Sequence, residues 1–288
     1  MKVRILPLLC CCIILRADPG LAQSTDQCSF QTIAFPLAQT TDASGINDQG
    51  AIVGTYEESA RAGDAKGFLL FGGKFTSFNF PGAFRTFASD INNQSQIVGS
   101  YSDALLRSHG FLVHSGGFQT IDFPGAQDTV VTGISNKGDI VGWVDVENNN
   151  QVRGFLLHAG HFSPFSFPGA FVTHPGDINI HGVIVGSYQV ALTGVPTHGF
   201  MVKNGTFTPI DVPGALDTFP TKVSDTGVIV GTYVTSDGGF FGFALVNDTF
   251  TTINDPNDGG DKRTSVNGIN NHKQIVGQIG RASCRERV

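Results

Sequence analysis

Residues 67–99 read GFLLFGGKFTSFNFPGAFRTFASDINNQSQIVG. Four short runs sit inside this stretch: Gly-Phe followed by apolar residues, a Phe-led alternation ending at Pro81, a crossing from Thr86 to Ile91-Asn92, and a run closing on Ile97-Val98-Gly99. Period-two alternation with β-branched and aromatic content predicts strands, and no sustained 3.6-residue period competes with it. The joints carry turn chemistry. Pro81-Gly82-Ala83 offers a glycine able to take positive φ, and Asn92 opens a turn before the last strand.

The same grammar runs through the chain. GINDQGAIVG (45–54), DINNQSQIVG (90–99), GISNKGDIVG (133–142), DINIHGVIVG (177–186), KVSDTGVIVG (222–231) and GINNHKQIVG (268–277) are copies of one run. Their final glycines lie 45, 43, 44, 45 and 46 residues apart. Self-similarity at that period marks a repeat architecture. Each unit of ~44 residues holds four short strands, the size of a propeller blade. The expected fold is all-β: a β-propeller of about six four-stranded blades. The Gly-Phe strand occurs five times and the others six. The unit from Phe30 to Tyr56 therefore lacks a first strand, and its FQTIAFP run is expected to leave an unpaired edge.

Composition agrees. Of 288 residues 37 are Gly and 24 Phe, and only 15% are charged. That excludes a disordered chain, a coiled coil and a long helical bundle. A net charge of −6 gives no electrostatic case for nucleic-acid binding.

Both ends read differently from the repeats. Met1-Lys2-Val3-Arg4 is a basic start, Ile5–Leu15 an 11-residue apolar run too short to span a bilayer, and Gly20-Leu21-Ala22 a small-residue cleavage site. Residues 1–22 are thus expected to be a secretory signal and to hold what helix there is. Ile279–Val288, IGRASCRERV, resembles the translation of a common short-read sequencing adapter. The expectation is a non-native tail that packs against nothing, with the last strand lost by truncation. The domain is then 23–278, with 12 basic and 22 acidic residues and one cysteine, Cys28, so no disulfide within it.

The pattern G-F-L…G-x-F…P-G-A…I-N-x-x-G-x-I-V-G resembles the bacterial extracellular HAF-type repeat. His109-Gly110-Phe111 and His198-Gly199-Phe200 stand where that family often has His-Ala-Phe. The resemblance implies an exported, propeller-like protein, extracellular or periplasmic. It brings no established activity and no catalytic residues.

Length variation between copies is confined to the connection entering each Gly-Phe strand and to the last Pro-Gly-Ala turn. These emerge on one face of a blade, so that face is the candidate binding face. The residues that vary there are Phe84, Arg85, Gln127, Asp128, Phe171, Leu216 and Asp217, able to stack on and hydrogen-bond a ligand; Gln39-Thr40 and Val172 share their register. For Phe84, Phe171 and Leu216 the competing role is filling gaps between blades. The Thr after each pair (Thr41, Thr86, Thr129, Thr173, Thr218) is expected to hold the turn backbone.

Other chemistry is weak. His158, His161, His174 and His181, with Asp177, fall on several strands and turns, which is a poor zinc set. Asp255, Asn257, Asp258 and Asp261 lack calcium-loop spacing. Asp122 and Asp211 hold one repeat position that other copies fill with Ala34, Asn79, Ser166 and Asn254, so paired glycosidase carboxylates are not indicated. No G-x-S-x-G, P-loop or H-E-x-x-H occurs. The expected function is a non-enzymatic binding or interaction module without cofactor or metal. Its ligand is of glycan or protein chemistry outside the cell, with no nucleic acid and no membrane span. The alternative is a polysaccharide-directed hydrolase or lyase.

Overall fold

The computed structural model describes residues 12–16, 29–59, 63, 65–115, 117–146, 151–254 and 263–279. Among them there is no α-helix; 24 strands form six antiparallel four-stranded blades, of which the third and fourth are joined by one parallel bridge, Val152 to Val172. The chain opens with β1 (Cys12–Arg16) and β2 (Ser29–Ile33). Blade 1 follows as β3 (Thr40–Ile46), β4 (Ile52–Glu57), β5 (Ala65–Phe71) and β6 (Lys74–Phe78). Blade 2 is β7 (Arg85–Ile91), β8 (Ile97–Ser102), β9 (Ser108–His114) and β10 (Gly117–Ile121). Blade 3 is β11 (Asp128–Ile134), β12 (Ile140–Val146), β13 (Gln151–His158) and β14 (His161–Phe165). Blade 4 is β15 (Val172–Ile178), β16 (Ile184–Gln189), β17 (His198–Lys203) and β18 (Thr206–Ile210). Blade 5 is β19 (Asp217–Val223), β20 (Ile229–Val234), β21 (Phe240–Val246) and β22 (Thr249–Ile253). Blade 6 joins the two ends of the chain: β23 (Thr264–Ile269), β24 (Ile275–Ile279), then β1 and β2.

The sequence unit and the blade are out of phase. The Phe-led strand never pairs with the strand that follows it; the Pro-Gly-Ala turn crosses to the next blade. Burial explains why. β6, β14 and β22 show the exposed pattern of an outer edge, whereas β3, β7 and β11 are buried at alternate positions, as inner strands are. Phe30–Ile33 and Thr40–Tyr56 therefore belong to different blades.

The Ile-Val-Gly run is the core. In blade 1, Ile52 packs with Phe68 of its own blade, while Val53 joins Ile91, Ile97 and Phe111 of blade 2. Val98, Val141, Val185 and Val230 each insert into the next blade in the same way. Val276 of blade 6 packs with Ile52 and Phe68, which brings the last blade against the first. Phe68, Phe111, Phe155, Phe200 and Phe243 are fully buried, each worth roughly 1.5–3 kcal/mol. The glycine lets the Phe ring lie flat on the strand: a Cβ on Gly54 would sit 2.8 Å from the Phe68 ring and 1.9 Å from the Asp42 carbonyl.

The crossing turns are pinned as their threonines suggest. The backbone N–H groups of Phe35, Phe80, Phe123, Phe167 and Val212 donate to the hydroxyls of Thr41, Thr86, Thr129, Thr173 and Thr218, at 2.9–3.1 Å. Phe35, Phe80 and Phe167 also stack on Tyr56, Tyr101 and Tyr188, with ring centroids 3.6–3.7 Å apart.

The open edge expected at FQTIAFP is filled. β1 lies between β24 and β2, with Ile13 opposite Gly277 and Thr32. That is the register of Phe68, which lies opposite Gly54 and Ser77 in blade 1. Residues 12–16 are strand rather than helix because five apolar or extended-competent residues meet two free edges. The other residues of the expected signal lie outside the described residues. So do Gly280–Val288; Ile279 pairs with Thr264, so the expectation that residues 279–288 pack against nothing does not hold at Ile279.

Candidate functional site

Every inner strand carries a β-bulge at the equivalent place, between its fourth and sixth residues in β3, β7, β11, β15 and β19 and between Val266 and Gly268 in β23. A bulge sharpens the local twist and re-aims side chains. Here the residues that close the bulges, Gly45, Asp90, Gly133, Asp177, Lys222 and Gly268, meet around the ring axis. Lys222 lies 2.9 Å from Asp90 and 3.8 Å from Asp177, and its ammonium donates to the Thr132 carbonyl at 3.0 Å. All three charged side chains are buried. The glycines leave the space: a Cβ on Gly133 would sit 2.6 Å from Asp177 Oδ1. Asp90 also accepts from the Ile134 N–H, and Asp177 from the Val223 N–H. Burial pushes Asp177 up to about 8, against the pull of Lys222. Burial thus favours the protonated form of Asp177 beside the Lys222–Asp90 ion pair. The cluster blocks the axis.

Below the plug, a belt of Asx residues closes the narrow end. Asp48 N–H donates to Asn93 Oδ1, and Asn93 N–H to Asn136 Oδ1. Ile180 N–H donates to Asp225, Asp225 N–H to Asn271, and Asn271 N–H back to Asp48. The link fails only at Ile180, which has no acceptor; the Asn136 amide turns instead to Asp225 Oδ2, 2.8 Å away. Partial burial would raise Asp48, but the bonds from Asn271 and Asn93, with His272 nearby, hold it below the usual carboxylate range.

Above the plug lies a cavity of about 1220 Å³. Its walls include the third residues of four inner strands, Asp42, Phe87, His174 and Phe219, and Trp143 of β12. Trp143 breaks the repeat. The same position holds Thr55, Ser100, Ser187, Thr232 and Gln278 elsewhere. Ser100 and Thr232 accept a backbone N–H from the next blade, from Val131 and Val266. Blade 4 offers Pro175 there, with no N–H to accept, which frees the position for an indole. The Trp143 ring stands 5.0 Å from that of His174 at 49°. Burial pushes His174 down, so it is neutral at pH 7. On blade 1, burial pushes Asp42 up to about 6, with a Gln278 hydrogen bond opposing; Asn267 donates to it at 3.1 Å.

The residues singled out in the sequence sit at the starts of the inner strands, at the end where this cavity opens. None of the seven lines it; Gln39, Thr40 and Arg263, at equivalent positions, do. Asp128 and Asp217 are engaged as staples between blades, accepting the Ser108 and Thr197 N–H groups at 2.6 and 2.7 Å. Arg85 lies over the Phe84 ring, 5.4 Å from its centroid. Phe84 and Leu216 are exposed, Phe171 half-buried and Gln127 exposed. Exposed Leu37, Leu105, Leu106, Val190 and Leu192 share this end.

The four histidines of the fourth copy do not converge. His158 pairs with Asp139, His174 lines the cavity, and no group of metal-ligating side chains gathers among the described residues. Asp255–Asp261 lie outside those residues. Asp122 and Asp211 pair with His109 and His198, 2.9 and 3.0 Å away, on the outer strands. Sequence reading missed Trp143, Asp42 and the Lys222 cluster; the signal was a residue departing in kind from its five repeat equivalents.

A six-sheet ring with this axis has solved counterparts. The fold is a β-propeller. The chain is similar to a putative TolB from Agrobacterium tumefaciens, at 12% identity and a TM-score of 0.66, covering 94% of this chain and 98% of that one. Against TolB from Acinetobacter baumannii the values are 12% and 0.59, over 93% of this chain and 63% of the other. AofleA from Arthrobotrys oligospora follows at 12% and 0.50, over 79% and 76%. At such identities the likeness speaks for the fold alone. No family model and no curated protein matches the chain.

Proposed function

We propose that this protein is an exported HAF-type repeat propeller of bacterial origin, acting as a binding module whose ligand enters the cavity above the Lys222 plug. The observation that carries the reading is Trp143: one blade places a large aromatic in the cavity where its five equivalents carry short hydroxyls or an amide. Such sites are the default ligand sites of a fold. The apolar side chains around the mouth, with Phe84, Arg85, Gln127, Asp128, Phe171, Leu216 and Asp217, extend the contact surface. No helix among the described residues is long and apolar enough to cross a membrane. Residues 1–22 act as the export signal, whose removal takes β1 out of blade 6 and leaves the slot between β24 and β2 open to another strand, and the protein works in the periplasm or outside the cell.

The test has two arms. N-terminal sequencing of protein recovered outside the cytoplasm should begin at Gln23; retention of Met1 would overturn export. Glycan and peptide arrays should give hits with the wild type that Trp143→Ala removes. Hits that survive this change would place the ligand elsewhere. A second reading, a hydrolase or lyase on polysaccharide, draws on Asp42 and His174 standing on blades 1 and 4, opposite each other in a six-membered ring. Release of new reducing or unsaturated ends from a bound glycan, lost in Asp42→Asn, would favour it.

A further inference from the structure

The cavity has two unlike halves. Blades 2 to 5 contribute the rings and prolines, among them Phe87, Trp143, His174, Pro175, Phe219 and Pro220, with the hydroxyls of Ser89, Thr132, Ser187 and Thr221 between them. Blades 6 and 1 contribute Asp42, Ser44, Thr55, Ser265, Asn267 and Gln278, all short acids, amides and hydroxyls. A ligand that satisfies both must show an apolar face on one side and a dense set of hydroxyls on the other. A pyranose ring does so: its C–H face covers an aromatic ring, and its hydroxyls meet carboxylates and amides that accept and donate in pairs. Charge narrows the class. Asp42 and Glu57 line the polar side against one guanidinium, that of Arg263 near the mouth, and the Lys222 ammonium is taken up by Asp90, so the two carboxylates disfavour an acidic sugar. Volume sets the length. The cavity exceeds the roughly 300–1,000 Å³ of small-molecule sites, enough for several sugar residues entering end-on along the axis.

We infer that the cavity takes the end of a neutral oligosaccharide, one ring stacked on Trp143 beside His174 and its hydroxyls on Asp42 and Asn267. This rests on the ligand-binding reading above.

Trp143 is the one tryptophan of the chain, so its emission reports on this wall alone. The probes are neutral tetrasaccharides of α- and β-linked glucose, mannose, galactose, xylose and N-acetylglucosamine. Oligogalacturonate, choline and short basic and aromatic peptides complete the set. At least one neutral tetrasaccharide should shift Trp143 emission saturably, with oligogalacturonate weaker. In calorimetry, Trp143→Phe should keep binding, and Trp143→Ala should weaken it by about threefold to tenfold, the range of one aromatic contact. Asp42→Asn should weaken it too, with melting temperatures of all variants compared to exclude misfolding. A saturable response to peptide, choline or uronate with none to neutral sugars would overturn the sugar class and leave the binding reading standing. No response to any probe would overturn both.

Discussion

The ammonium of Lys222, on blade 5, lies 2.9 Å from the carboxylate of Asp90, on blade 2. These blades are three places apart in a ring of six, so the pair spans the axis. Only a closed ring brings the two residues together. The glycines at the same register on blades 1, 3 and 6 give the pair its room, and Asp177 stands beside it, its Oδ1 3.8 Å from the ammonium.

The Asp177 carboxyl has a pH signature. Asp177 is held near 8 in the folded protein, against 3.8 for an ordinary Asp. A raised carboxyl keeps a proton in the folded state that the unfolded chain releases, so stability falls as pH rises through this window. Asp42, raised to about 6, acts with the same sign over the lower part. Unfolding free energies from urea denaturation should therefore drop from pH 5 to pH 8, by up to about 1.4 kcal/mol per pH unit for one group. Asp177→Asn, which keeps the neutral shape, should flatten the profile above pH 6. An unchanged slope in that variant would show that the proton resides elsewhere.

The threonine pins predict a local loss. Thr129 is buried and accepts the Phe123 N–H at 3.0 Å. Thr129→Val keeps the volume and strands that N–H, for about 1–3 kcal/mol. Thr251→Val, at an exposed site of β22, should stay within about 0.5 kcal/mol. Equal effects in chemical denaturation would remove the pin from the account.

Much of this was legible in the sequence, and for a physical reason. The 44-residue period, the Ile-Val-Gly core and the turn threonines repeat because every blade solves the same packing problem. Blade boundaries were less legible, since alternation along FQTIAFP is the same whether the next strand pairs with it or crosses away. The axial cluster was hidden by the bulge. Asp90, Asp177 and Lys222 read as scattered polar residues until the bulge turns them to one point. Trp143 was visible as the only tryptophan, yet its direction depends on which face of β12 borders the axis.

The seam is the weakest joint. In each of the other blades a glycine occupies the place of Cys12, and a Cβ on Gly67, Gly110, Gly154, Gly199 or Gly242 would come within 2.2–2.7 Å of a neighbour. The slot between β24 and β2 is thus equivalent to those that Gly-Phe strands fill in the other blades. Removing residues 1–22 should speed amide exchange in 29–33 and 275–278. Grafting Gln189–Gly205, the loop and Gly-Phe strand of blade 4, after Ile279 should slow it again and raise the melting temperature. Exchange indifferent to both changes would mean that no strand seals this joint.

The closed six-bladed ring is tested most directly by a double-mutant cycle on Lys222→Met and Asp90→Asn in urea denaturation at pH 7. Lys222→Met alone should cost about 3–5 kcal/mol, because it leaves Asp90 buried without its cation. In the double variant the two losses should fall short of their sum by roughly 0.5–3 kcal/mol, the coupling of residues in contact. Losses that add to within about 0.3–0.5 kcal/mol would mean that blades 2 and 5 do not meet across one axis.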